Sequence, residues 1–238
     1  MFSLVVPTFN ERANIGPLIG RIEAVLKQQP FEFEIILVDD NSPDETWRLA
    51  QEIAKEESRL HVIRREGARG LATAVVDGWK AAKGKILGVM DADLQHPPEI
   101  LPDLLGPILN ERSDIVIGSR RTSGGGVGKW NLPRRFISWG AATIAFLVLP
   151  QILRVVQDPM SGFFLMKRSV IDSALLKPTG YKILLEILAK GNFQRIIEVP
   201  YIFEERKNGK SKLGLKQYLE FPIQVEMLAA KARVHSHL

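Results

Sequence analysis

The chain contains no cysteine, which excludes disulfides and thiolate metal centres and is compatible with a reducing compartment. It opens on Met1-Phe2-Ser3-Leu4-Val5-Val6-Pro7, with no basic leader ahead of a long apolar stretch, so no secretory signal is expected. Long charge-free runs are scarce. The longest, Phe136 to Leu153, reaches 18 residues only with Ser138, Thr143, Pro150 and Gln151 inside it, which is the lower threshold for a membrane span. It reads as a helix in the bilayer interface or as one packed on the domain, and Arg134, Arg135 and Arg154 at its ends suit anionic headgroups. The first turn lacks G-x-G-x-x-G, and no G-x-x-x-x-G-K-[ST] occurs, which disfavours a dinucleotide enzyme and a P-loop nucleotidase. Charge is nearly balanced: 32 basic against 27 acidic residues leave +5, which suits phosphate-bearing ligands or an anionic membrane surface, and no nucleic-acid partner is expected.

Hydrophobic content of 45% in 238 residues is enough for one large core. Apolar runs at Ser3–Pro7, Glu34–Val38, Leu60–Ile63, Lys85–Met90 and Asp114–Gly118 alternate with helical patterns. The first helix shows the stripe Ile15, Leu18, Ile19, Ile22 and Leu26, with Asn10 or Asn14 as cap. A second opens on Ser42-Pro43-Asp44-Glu45, with Ser42 as cap, Pro43 at the first position and Glu45 in capping-box register. A third spans Gly70–Ala82 and a fourth Glu99–Asn110, while Val170–Leu176 and Lys182–Ala189 also read as helices. Ser161–Lys167 returns the chain to the sheet, and Arg195–Val199 is a short strand. Strands with almost no outward polar positions, separated by helices, predict an α/β fold whose parallel sheet is covered on both faces. The glycine-rich stretch Thr122–Gly128 predicts a mobile loop that closes on substrate, and Lys207–Lys216 a basic loop before a final amphipathic helix.

The chemistry concentrates where strands end. Asp91-Ala92-Asp93 follows the run Ile86–Met90, and Asp39-Asp40 follows Glu34–Val38. Paired carboxylates leaving a buried strand need a cation or a positive partner, and they offer the oxygen ligands a hard divalent ion takes. Asp39 reads as a ligand for base or ribose. For Asp40 and Asp44 ligand binding and local capping stand level. His96, ahead of two prolines, reads as structural.

An ordered set of motifs from Val6 to Lys212 resembles the inverting glycosyltransferases of family 2, in particular the dolichyl- and polyprenyl-phosphate mannose synthase branch. These are Val6–Glu11, Asp39–Thr46, Arg69-Gly70-Leu71 with Ala74, Met90–Glu99, Gly118-Ser119-Arg120, Asp158 with Ser161-Gly162-Phe163, Tyr181 with Glu186, and Arg206 through Gly209–Lys212. The resemblance implies the GT-A fold, a three-layer α/β/α arrangement on a mostly parallel, mixed sheet. It also implies a single catalytic domain over 1–238, with a nucleotide-sugar half (1–120) and an acceptor-side, membrane-interface half (121–238).

By that resemblance Pro7, Asn10, Glu11 and Asp39 hold the donor nucleoside, and Asp91 lies near ribose and diphosphate. Asp93, with Gln95 beside it, ligates Mg²⁺ or Mn²⁺. The reaction implied is transfer of a hexose from GDP-mannose, or alternatively UDP-glucose, to an isoprenoid phosphate at the cytoplasmic membrane face. A phosphate acceptor is already anionic and needs no strong base, so the task falls to cations: Arg120, Arg134, Arg206 and Lys212 first, then Arg135, Lys129 and Lys210. The competing expectation, a saccharide acceptor, needs a carboxylate base, for which Asp158 and Glu186 are the candidates. A non-enzymatic membrane adaptor leaves the strand-end aspartates without a role. Relatives often carry membrane helices after this domain. The single amphipathic stretch Phe221–Ala232 therefore implies peripheral contact, a membrane-embedded partner, or a chain that stops short of its membrane part. Phe9 and Glu45 stand where the family often has tyrosine and glycine.

Overall fold

A computed structural model describes residues 1–67, 69–128, 156–178, 181–206 and 208. Arg134, Arg135, Lys129, Lys210, Lys212, the 136–153 segment, most of 207–216 and the 221–232 stretch lie outside the described residues.

Strand β1 (Phe2–Thr8) leads into α1 (Arg12–Leu26), followed by β2 (Phe33–Asp39), α2 (Thr46–Glu56), β3 (Leu60–Arg64), α3 (Leu71–Ala81) and β4 (Ile86–Val89). A 3-10 turn (Pro98–Ile100) then opens α4 (Leu101–Leu109), and β5 (Ile115–Ser119), β6 (Gly126–Val127), β7 (Phe164–Lys167), α5 (Ile183–Lys190), β8 (Ile196–Pro200) and β9 (Ile202–Phe203) follow. Seven strands form one sheet in the order β3-β2-β1-β4-β7-β5-β8. All neighbours are parallel except β7, which runs antiparallel to both β4 and β5.

Alternation along the strands explains the layers. Phe2, Leu4 and Val6 of β1, with Ile35 and Leu37 of β2, join the stripe of α1, Ala50 of α2 and the apolar face of α4. Val5, Ile36 and Val38 point the other way, into a cluster with Ala72, Val75 and Trp79 of α3 and Ile183, Leu184 and Ile187 of α5. Helices thus cover both faces. Gly78 lets α3 lie close to the sheet, since a Cβ there would meet Val5 at 2.5 Å.

Several expectations from sequence need correction. The residue pattern alone predicts a parallel sheet; the sheet is mixed, as the family resemblance implies, because β7 returns against its neighbours. Neither Asn10 nor Asn14 caps α1: Asn10 is left-handed at φ 54°, and the Asn14 side chain donates to the Glu11 carboxylate. Ser42 caps nothing and α2 starts only at Thr46, because the Asp39 carboxylate captures both the N–H and the hydroxyl of Ser42. Asp44 instead accepts from the Thr46 N–H and hydroxyl. Val170–Leu176 is a 3-10 turn and a loop, because the Val170 carbonyl that an α-helix would use accepts from Asn192. Within 122–128, Gly126–Val127 pairs with β9, so the expected free loop is tied down at that end.

Candidate active site

The functional residues collect at one edge of the sheet, where parallel α/β sheets place ligands. The registers Thr8↔Asp39 and Val5↔Val89 put the carboxyl ends of β1, β2 and β4 side by side, and β5 and β8 end on the same edge at Ser119 and Pro200. From those ends come Asn10-Glu11, Asp39-Asp40, Asp91–Gln95, Arg120 and Tyr201–Arg206. The antiparallel β7 contributes the residues before it, Asp158–Phe163.

Asp91 carries an unsatisfied oxygen. Its Oδ1 is buried and has no hydrogen-bond partner among the described residues. Burial, then the neighbouring Asp93 carboxylate, pushes Asp91 up to about 7, against the pull of Lys182, Arg120 and Arg206. A Cβ at Gly162 would meet the Asp91 Oδ2 at 2.5 Å, so only glycine admits this carboxylate. Asp93 is also raised by burial; its Oδ1 accepts from the Gln95 N–H at 3.2 Å and its Oδ2 from Arg206 Nη2 at 2.6 Å. The same guanidinium donates through Nη1 to Glu11 Oε1 at 3.3 Å. Two adjacent buried carboxylates, one with an orphaned oxygen, are a hard donor set that fits a divalent cation.

Arg120 is held by Asp158, which is fully buried. Nε and Nη2 donate to the two carboxylate oxygens at 2.7 Å each, and the Arg120 backbone N–H adds a third bond at 3.0 Å. Against its burial, the guanidinium keeps Asp158 below the usual carboxylate range. The guanidinium also lies 5.4 Å over the Phe203 ring. Glu198 of β8 fixes the loop by accepting from the backbone N–H groups of Gln157 and Asp158.

His96 is buried, with neither ring nitrogen hydrogen-bonded among the described residues. It packs on Phe163, Tyr201 and Phe203 at centroid distances of 5.1–5.7 Å. Burial, then the charges of Arg120 and Lys182, lowers it to about 3, so it is a neutral packing ring. Gln95 donates through its side-chain amide to the Glu204 carbonyl and accepts the Glu204 N–H at its own carbonyl, both at 2.8 Å.

Asp39 is fully buried with its oxygens on Ser42 and Thr8, so here it orders the strand-end loop. Asp40 binds Arg65 and the Gly70 N–H, Arg65 also reaching Asp77, which ties α3 to the end of β2. Pro7 lies within β1 opposite Val38. Asn10, Glu11, Asn14, Asp44 and Asn208 line an open cleft of about 480 Å³ beside the start of α1. Glu186 takes the Lys177 N–H and the Lys190 ammonium and anchors its own helix.

Lys182 went unread in the sequence. Its ammonium donates to the Met160 carbonyl at 3.0 Å, and its charge acts on Asp91 and Asp93. Burial, then Arg120, lowers its pKa. The available signal was its place as the first flanking residue of α5, where a cation opposes the helix dipole.

Among solved structures, the fold matches mannosyl-3-phosphoglycerate synthase from Rubrobacter xylanophilus at TM-score 0.74 and 22% identity, over all of this chain and 76% of that one. It matches glucosyl-3-phosphoglycerate synthase from Mycobacterium tuberculosis, in complex with Mn²⁺, UDP-glucose and phosphoglyceric acid, at TM-score 0.74 and 21% identity, over 98% of this chain and 79% of that one. The architecture is therefore GT-A. Glycosyl transferase family 2 matches residues 3–175, and the chain belongs to that family. It is 46% identical over 219 residues to a dolichol-phosphate mannosyltransferase of Pyrococcus furiosus, which covers 92% of this chain but only 61% of that protein. It is 36% identical over 237 residues to the dolichol-phosphate mannosyltransferase of Saccharomyces cerevisiae, over 95% of this chain and 86% of that protein.

Proposed function

We propose that this chain transfers a hexose, mannose first, from a nucleoside diphosphate donor to the phosphate of a dolichyl or polyprenyl lipid, inverting the anomeric carbon in one displacement. The names of its relatives at 36–46% identity support the reaction class. The observation in the site that favours a phosphate acceptor is the state of the second-half carboxylates. Asp158 is spent on Arg120 and Glu186 on Lys190, so neither stands ready as the base a sugar hydroxyl requires. GDP-mannose is the first donor and UDP-glucose the second.

In this reading residues 1–120 hold the donor and 121–238 the acceptor and membrane side. Pro7, Asn10, Glu11 and Asp39 shape the nucleoside end, and Asp91 lies by ribose and diphosphate. Asp93, with Gln95, would hold Mg²⁺ or Mn²⁺. The Mn²⁺ bound with UDP-glucose in the mycobacterial fold relative supports a divalent ion. Such an ion supplies positive charge where the leaving diphosphate gains negative charge. Arg120, oriented by Asp158, and Arg206 place the acceptor phosphate, joined by Arg134 and Lys212. The phosphate oxygen then attacks the anomeric carbon opposite the leaving diphosphate. Each CH₂ of an isoprenoid tail drawn from the bilayer costs about 0.8 kcal/mol, so the protein must meet the lipid at the membrane surface, through the 136–153 segment or a membrane-embedded partner.

Incubation of the purified protein with labelled GDP-mannose or UDP-glucose and a short polyprenyl phosphate tests the reading. Transfer to the lipid from one donor is expected, and transfer from neither overturns it. Salt-sensitive binding to anionic vesicles, weakened by changing Arg134 and Arg135 together to Ala, tests the membrane part.

A further inference from the structure

Arg206 sits in an unexpected place for a residue assigned to a substrate phosphate. Its guanidinium lies between Asp93, at 2.6 Å, and Glu11, at 3.3 Å, so its charge is already neutralised by protein carboxylates. This placement is built rather than incidental. Two residues upstream, Glu204 is clamped by Gln95 through the reciprocal 2.8 Å pair, and Arg21 joins Glu204 to Glu99, which it holds at 2.7 and 2.9 Å. Just upstream of Glu204, Phe203 packs on His96, and two residues downstream of Arg206 the Asn208 amide donates to Asn14. The run Asp93 to His96 therefore grips the segment Tyr201 to Arg206 at Tyr201, Phe203, Glu204 and Arg206.

We infer that Arg206 is the resident counter-ion of Asp93 and sets the cation affinity of the site, because a divalent ion reaches Asp93 only by displacing it. The inference rests on Asp93 being the cation ligand, as proposed above. A guanidinium 2.6 Å from Asp93 Oδ2 and a divalent ion on the same carboxylate repel each other at short range and compete for its charge, and Oδ1 already accepts the Gln95 N–H. Cation entry therefore has two effects. It replaces one positive charge by two among Glu11, Asp91 and Asp93, and it turns the displaced guanidinium from protein carboxylates toward whatever anion enters next. The cation thus controls when Arg206 becomes available to a phosphate, and this orders the binding of cation before phosphate acceptor. Gln95 serves both parts. Its amide N–H₂ fixes Glu204, so the hinge that moves Arg206 starts downstream of a point that stays on the cation loop.

The test is Mn²⁺ binding to the whole chain without nucleotide, read by the electron paramagnetic resonance signal of free Mn²⁺. Arg206→Gln should bind Mn²⁺ at least tenfold more tightly than wild type, and Arg206→Lys, which keeps the charge without the planar two-armed fork, should fall between. Equal or weaker binding in Arg206→Gln, or no binding in either protein, overturns the inference. A second measurement uses the wild type alone. The Arg206 Nε–H resonance, assigned by its loss in Arg206→Gln, should shift on saturation with Mg²⁺; a resonance that stays put while the ion binds overturns the displacement. Asp93→Asn separates the two levels of the argument: it should abolish Mn²⁺ binding, and if it binds like wild type the cation assignment falls, and this inference with it.

Discussion

The Asp158 carboxylate receives both arms of the Arg120 guanidinium and the Arg120 backbone N–H, a three-bond clamp between the end of β5 and the loop before β7. Bidentate Arg–carboxylate pairing fixes direction as well as charge. Breaking such a buried pair on one side costs about 3–5 kcal/mol. Asp158→Asn should therefore lower the melting temperature and cut transfer to a polyprenyl phosphate severely while nucleoside diphosphate affinity stays near wild type. Calorimetric titration of the nucleotide beside acceptor kinetics checks this; an equal loss of nucleotide binding would place Asp158 on the donor side.

Lys182 contributes one ammonium to the loop that carries both Asp158 and Gly162, through the Met160 carbonyl. Lys182→Met keeps the bulk and removes the charge. We expect at least a tenfold fall in transfer with little change in nucleotide affinity, because the lost charge acts on Asp91 and Asp158. Unchanged turnover in a folded variant would reduce Lys182 to a packing residue.

His96 gives a pH signature. Its folded pKa, about 3, lies below the ordinary 6.5, so below pH 6.5 the unfolded chain takes up a proton that the folded chain refuses. Stability present above 6.5 is lost as pH falls toward 3, by about 1.4 kcal/mol per pH unit at most. His96→Phe should flatten that acid limb in urea unfolding between pH 6.5 and 5, while a limb of unchanged slope would assign the acid sensitivity to other groups.

Glu45 occupies a left-handed conformation at φ 60°, which costs a residue with a Cβ about 1–2 kcal/mol and glycine little. Its partners Arg12 and Arg48 are solvent-exposed and contribute little. Glu45→Gly should therefore raise the melting temperature by about 1–3 °C. A fall would show that the ion pairs or glycine's extra freedom in the unfolded chain outweigh the relief.

What the sequence made legible followed from local periodicity. The stripe of α1 is buried residue for residue, and the apolar runs before Asp39 and Asp91 are strands ending at one edge. What it hid was set by contacts distant along the chain. Ser42 looked like a cap because Asp39's claim on it depends on where β2 ends. The reversal of β7 leaves no mark in a run as apolar as its parallel neighbours. Gln95 could be read as an oxygen ligand, but not as the anchor of Glu204, 109 residues away. The same holds for the Asp39 carboxylate, whose bond from Thr8, 31 residues away, no local pattern announces.

The antiparallel register of β7 on β5, Ile117 opposite Phe164, has an evolutionary consequence. Everything between Ser119 and Phe164 leaves and re-enters the sheet at neighbouring points, and Arg120 and Asp158 fasten the doorway. Because the closure entropy of a loop grows only with the logarithm of its length, that excursion can lengthen, shorten or be exchanged without disturbing β4, after which Asp91 and Asp93 follow. On the proposed function, the sheet acts as a socket with a standard fitting, into which a lineage can plug a different acceptor-side insert while the donor site stays where it was.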